Sequence, residues 1–163
     1  MPHVAFPTAL GPCAIVWSGS VLTAFALPGA DHRLPTEPAT ATPPPWIAAL
    51  VTRVQRHLAG EPQDFSDLPY DFARVPEFHR AVLRATLAVK SGHTATYGDL
   101  ARGLDQPPGA SRAVGTALGA NPWPLLIPCH RIVAASGKMT GFSGPGGVDT
   151  KAKLLALEGA QLL

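Results

Sequence analysis

Cysteine is scarce in this chain, and the spacing of what little there is excludes two classes of protein. Of 163 residues only Cys13 and Cys129 are cysteine, too few for a disulfide framework and in no zinc-like spacing. Both read as free thiols of a reducing cytoplasm. Charge is missing from the first 30 residues, which contain no Lys, Arg, Asp or Glu. No basic stretch precedes them, and Pro7, Gly11, Pro12, Gly19 and Pro28 interrupt any helix, so neither a signal peptide nor a membrane span is expected. What is present is a chain that is 46% apolar, enough for one ordinary domain or two small ones sharing an interface.

The formal net charge of +2 hides an asymmetry. Residues 1–74 carry four Arg against six acids, a net of −2, whereas residues 75–163 carry nine Lys or Arg against five acids, a net of +4. An anionic partner would therefore dock on the C-terminal half.

In the N-terminal half, the β-rich runs Cys13–Trp17 and Val21–Leu27 flank Ser18-Gly19-Ser20, the signature of a hairpin with a three-residue turn. Pro35–Pro45 is too proline-rich for helix or sheet and reads as an extended connection. From Trp46 to Ala59, apolar residues at 46, 47, 50, 51, 54 and 58 follow a helical period, and Gly60 supplies the stop. Val75-Pro76 marks the expected boundary between a small α/β (α+β) unit, 1–75, and a second unit, 76–163.

The second unit reads as mainly helical. Pro76 suits a first helical position, and Phe78, Ala81, Val82, Ala85 and Val89 recur at helical spacing up to Gly92. Tyr97–Arg102 and Ser111–Leu118 read as two short helices separated by the turn Pro107-Pro108-Gly109. That pair fits a helix-turn-helix whose second helix is presented to a nucleic acid.

Chemistry is concentrated in Asn121–Val133, which places Cys129 beside His130 and Arg131. A thiol is a poor nucleophile until it ionises, and an imidazole or a cation close by lowers the cost of ionisation. The same pair also fits a small buried thiol beside a satisfied core histidine.

Six stretches decide between these. Thr96-Tyr97-Gly98-Asp99-Leu100-Ala101, Arg112-Ala113-Val114-Gly115, Asn121-Pro122, Ile127-Pro-Cys-His-Arg-Ile-Val133, Gly141-Phe142-Ser143-Gly144 and Leu154–Gly159 occur in this order over roughly residues 76–159. Together they resemble the O6-alkylguanine-DNA alkyltransferases, or methylated-DNA-protein-cysteine methyltransferases. The resemblance implies that Cys129 accepts an alkyl group, with His130 acting as base through a water and Glu158 orienting it. If the cysteine segment is extended, adjacent side chains face opposite ways, which is why a water is needed. Tyr97 would donate to the purine N3 and the Ser143 backbone N–H would address O6. The Cys129 and Ile132 carbonyls would accept from the exocyclic amine. Asn121 would tie the helix pair to the cysteine loop. Arg112 would take the place of the extruded base, while Ala113, Gly115 and Ala117 allow close approach to the minor groove and Arg131 adds to the DNA-facing charge.

The fold implied is an α/β N-terminal domain with a hairpin-containing sheet and a helix, followed by a mainly helical, winged-helix-like domain with the helix-turn-helix. The activity implied is irreversible, single-turnover transfer from O6-alkylguanine, and from O4-alkylthymine, in double-stranded DNA after base flipping. The protein would be a cytoplasmic monomer, nucleoid-associated when bound, with no cofactor and no metal. Alkyltransferase-like proteins that bind lesions without transfer replace the motif cysteine, which is intact here. A cysteine hydrolase would leave the helix pair and Arg112 without a task. Three departures from the family pattern stand out: Phe142 where many members have Tyr, a Gly144–Gly147 turn about two residues longer than usual, and no cysteine cluster for an N-terminal zinc.

Overall fold

A computed structural model describes residues 1–29, 42–136 and 147–160. Strands β1 (His3–Phe6), β2 (Cys13–Ser18) and β3 (Val21–Ala26) form an antiparallel sheet in the order β1-β2-β3. β2 is apolar on both faces and buried at all but its last residue, so it takes the centre, where both faces are covered. The turn is tighter than expected. Ser18 pairs with Val21, leaving a two-residue loop in which Gly19 takes φ +58°, the left-handed conformation such loops require.

The outer edge of β3 is not left open to pair with another chain. Leu22 exchanges backbone hydrogen bonds with the segment Pro69–Asp71 (2.7 and 3.0 Å), and the Phe25 N–H donates to Pro122 O at 3.0 Å. The loop that leads to Cys129 is thus seated on the sheet edge. Trp123 completes the seat, with its indole N–H donating to Leu22 O at 3.0 Å and its ring edge-on to Tyr70 and Phe72.

Helix α1 (Pro45–Leu58) begins with proline at its first position and ends in a Schellman turn. There Glu61 N–H reaches Arg56 O, Gly60 N–H reaches His57 O, and Gly60 takes φ +100°. Helix α2 (Glu77–Leu87) stops short of the expected Gly92. The Thr86 hydroxyl donates back to Val82 O, and the next bonds, Ala88 to Ala85 and Val89 to Thr86, are of the tighter i−3 kind that ends a helix.

Helices α3 (Tyr97–Gly103) and α4 (Ser111–Gly119) are the expected pair. A capping box fixes the start of α3: Thr96 Oγ1 accepts from Asp99 N–H, and the Asp99 carboxylate accepts from Thr96 N–H. Just upstream, β4 (Ala95–Thr96) pairs in parallel with β5 (Ile132–Val133), so Tyr97 is delivered beside the residues that follow Cys-His-Arg. Helix α5 (Gly147–Leu157) closes the described chain. One hydrophobic core crosses the expected boundary at Val75, joining Ile15, Phe25 and Leu50 to Val82, Leu118, Trp123 and Leu154. No helix among the described residues is long and apolar enough to cross a membrane.

Candidate active site

Asn121 stands immediately after α4 and is buried. Its amide donates to Ile127 O at 3.0 Å, and its oxygen accepts from Trp123 N–H at 2.9 Å. The two bonds pin a loop in which fully buried Leu125 takes φ +77°, a conformation that persists in a non-glycine residue only when its surroundings hold it. Asn121→Ala strips the buried Trp123 N–H of its partner and leaves Ile127 O with the Cys129 N–H, so a loss of about 1–3 kcal/mol is expected. A urea melt should show it as a lowered midpoint at unchanged slope.

Cys129–Arg131 is a 3-10 turn and not the extended segment expected from the sequence. Pro128, at φ −81° and ψ 64°, turns the chain, and Arg131 N–H closes on Pro128 O at 2.9 Å. Successive side chains therefore leave the turn about 120° apart, so strict alternation is not what separates His130 from the sulfur. What directs His130 is Glu158.

Glu158, in the turn that follows α5, is a buried carboxylate with four donors. Oε1 accepts from His130 Nε2 and Arg131 Nε, both at 2.9 Å. Oε2 accepts from His57 Nε2 at 2.7 Å and Arg131 Nη2 at 2.8 Å. Burial opposes its charge, yet the bonds from His130, His57 and Arg131 hold its pKa far below the ordinary carboxylate range. His130 is fully buried, and burial lowers its pKa, so the ring is held neutral. With Nε2–H committed to Glu158, its lone pair lies on Nδ1, which has no hydrogen-bond partner among the described residues.

The Cys129 thiol is itself pushed up in pKa by burial, against a hydrogen bond with Asn121 and the charge of Lys151. Cys129 therefore rests as a thiol and needs a base to become a nucleophile. Lys151 is buried on α5, donates from Nζ to Ile132 O at 2.6 Å and lies 5.9 Å from the centre of the Tyr97 ring. Desolvation lowers its pKa, and the neighbouring Cys129 works in the opposite direction.

The expected site residues thus divide into groups. Cys129, His130, Glu158, Tyr97, Asn121 and Ile132 gather on and around the cysteine turn. Arg112 and Ala113 are exposed on α4, and Gly115 is partly exposed on the same helix. Ala117 is fully buried and takes no part in that surface. Arg131, expected to face DNA, is instead buried in the protein, with Nη1 on Val89 O and its other donors on Glu158. Its length and fork-shaped charge suit the carboxylate behind the turn. Ser143, Phe142 and most of the Gly144–Gly147 turn lie outside the described residues.

Two participants, His57 and Lys151, stand outside the sequence's expected site residues. Both carry a readable signal. His57 falls on the buried stripe of α1 with Leu50, Val54 and Leu58, and Lys151 falls on that of α5 with Leu154 and Leu155. A polar residue on an apolar helix face needs a buried partner.

Residues 77–160 match the family model described as the DNA-binding domain of 6-O-methylguanine DNA methyltransferase. The methylated-DNA–protein-cysteine methyltransferase of Mycobacterium tuberculosis H37Rv is 36% identical over 149 residues, 91% of this chain and 87% of that protein. A protein of Thermus thermophilus named as a DNA base-flipping protein is 42% identical over 107 residues, 66% of this chain and 69% of its own length. The crystal structure of M. tuberculosis OGT in complex with DNA superposes with a TM-score of 0.80 at 36% identity, covering 98% of this chain and 93% of that one. With a matching domain model over its C-terminal half and full-length relatives of the same name, the chain belongs to the methylated-DNA–protein-cysteine methyltransferase family.

Proposed function

We propose that this chain repairs DNA by taking the alkyl group of O6-alkylguanine onto Cys129 in a single turnover. The observation that carries the proposal is the buried Glu158–His130 relay behind a cysteine that rests as a thiol. The thiol proton passes through a water to His130 Nδ1, and the imidazolium is stabilised by Glu158. The Cys129 thiolate, held by the charge of Lys151, attacks the alkyl carbon. A carbon–sulfur bond forms as the carbon–O6 bond breaks, and the electron pair leaves with guanine, which takes a proton at N3 from the Tyr97 phenol. His130 then returns a proton to Tyr97. The product is a thioether, and nothing in the relay can expel its sulfur, so each chain acts once.

Ser143 N–H addresses O6, while the Cys129 and Ile132 carbonyls accept from the exocyclic amine. Ile132 O already holds Lys151 Nζ, but a carbonyl has a second lone pair. The lesion reaches the pocket by rotation out of the stack, with Arg112 filling the gap. Ala113 and Gly115 face the minor groove. A Cβ on Gly115 would meet Tyr97 only at 3.9 Å, so internal packing does not demand glycine there. O4-alkylthymine is proposed as a further substrate. The protein works as a cytoplasmic monomer, nucleoid-associated on DNA, with units 1–75 and 76–163 and no cofactor.

A second reading is lesion binding without transfer, in which base flipping, the activity one relative is named for, is kept and the chemistry is not. Intact-mass analysis after incubation with an O6-methylguanine duplex separates the two. Transfer predicts one methyl per chain, on the peptide that holds Cys129, and unmodified guanine in the DNA. Tight binding with no change in mass would establish the second reading, and continued turnover would exclude both.

A further inference from the structure

The N-terminal α/β unit has no chemistry assigned to it, yet it places one side chain in the relay. His57, in the last turn of α1, reaches Glu158 Oε2 from Nε2 at 2.7 Å, and the two side chains are each 1% exposed. The His57 ring is itself held from behind, because the Gln63 backbone N–H donates to Nδ1 at 3.0 Å. With Nδ1 accepting, the ring proton lies on Nε2, and the bond to the carboxylate has only one possible sense.

We infer that His57 is a positioning residue for alkyl transfer, the second imidazole on the carboxylate, which fixes Glu158 so that Oε1 presents to His130. The inference rests on the alkyl-transfer reading of Cys129. Two features give His57 this task. Glu158 lies at the C-terminal end of α5, where the helix dipole disfavours a carboxylate, so it must be held from outside the helix. Arg131 supplies charge and two donors, but one lone-pair direction on Oε2 remains, and His57 fills it. The groups that face Glu158 are then His57 from α1 and His130 and Arg131 from the cysteine turn. Cys129 and Lys151 act on one another.

Loss of the His57 donor should do more than slow the reaction. A carboxylate freed of one donor holds more negative charge and retains a proton on His130 more tightly. His130 must be neutral to act, so the acidic limb of the rate profile moves to higher pH.

The test is single-turnover transfer from an O6-methylguanine duplex to full-length wild type, His57→Phe and His57→Gln, followed against pH. Affinity for the same duplex is measured in a Cys129→Ser background. Phenylalanine keeps ring volume without a donor, and glutamine places an amide N–H close to the position of Nε2. His57→Phe is expected to be slower by about tenfold or more, with its acidic limb displaced upward and its DNA affinity unchanged. His57→Gln should recover most of the rate and the original limb. An unchanged rate in His57→Phe, or a loss uniform across pH that glutamine does not reverse, overturns the inference. Should His57→Phe not fold, ring nitrogen resonances of the wild type decide, since a His57 ring protonated on Nδ1 has no donor for this role. If wild type itself accepts no alkyl group, it is the transfer reading that has failed.

Discussion

Glu158→Ala is expected to lower the stability of the fold by about 3–5 kcal/mol, because it leaves a buried charge without its partner. The Arg131 guanidinium would keep only Val89 O, and the Nε2–H groups of His57 and His130 would both point at a void. Alkyl transfer should disappear with it, since His130 loses what orients it. The double variant Glu158→Leu with Arg131→Leu separates the effects: apolar residues can replace a buried ion pair at little cost, although His57 and His130 still lose their acceptor, so stability should return in part while transfer does not. If the double variant transferred alkyl groups, the carboxylate would have no part in the reaction.

The same cluster sets the response to acid. Glu158 has a folded pKa depressed below its ordinary 4.5, so its contribution is fully present above that value and is lost as pH falls through the depressed one. His130 has a folded pKa below its ordinary 6.5; as pH falls under that value the unfolded chain takes up a proton that the folded chain refuses. Both effects lower stability on acidification, the first in order being His130, and both vanish above neutral pH. A series of thermal melts against pH should therefore fall from near 6.5 downward and steepen below 4.5, and the Glu158→Leu, Arg131→Leu chain should show a weaker second phase, left to carboxylates such as Asp64 and Asp99.

Arg112→Ala is expected to slow transfer from duplex DNA by about a hundredfold, the equivalent of about 2–3 kcal/mol of the energy needed to hold a base out of the stack. Arg112 is exposed at the start of α4 and makes no contribution to the buried relay. Reaction with free O6-benzylguanine, which needs no extrusion, should be unchanged. Arg112→Lys keeps the charge but not the planar surface that can occupy the gap, so it should fall between the two. Equal losses on duplex and free base would make Arg112 a determinant of the pocket, and no loss on duplex would remove it from base extrusion.

How far the sequence discloses this site depends on how local the cause is. Helix α1 differs from the Trp46–Ala59 periodicity by one residue at each end, because apolar spacing and Gly60 act within a few turns. The α3–α4 pair and its Thr96–Asp99 cap are local in the same sense. The short strand β1 escapes notice because four residues of mixed polarity carry no alternation, and its pairing with β2 is what makes it a strand. The turn at Cys129–Arg131 is misread as extended because β-type residues follow it, whereas Pro128 and the bond to its carbonyl set the conformation. The stripe of α1 marks His57 as a buried polar residue in need of a partner, but that partner lies 101 residues away and no short-range pattern names it.

That separation bears on when the protein becomes reactive. Helix turns and the β2–β3 hairpin close over a few residues, but the contact between His57 and Glu158 spans 101 and cannot form until widely separated parts of the chain have met. Secondary structure is thus regained before the relay is. Until then Cys129 has neither the base that would activate it nor a pocket to select a lesion, so both arrive only with the complete fold.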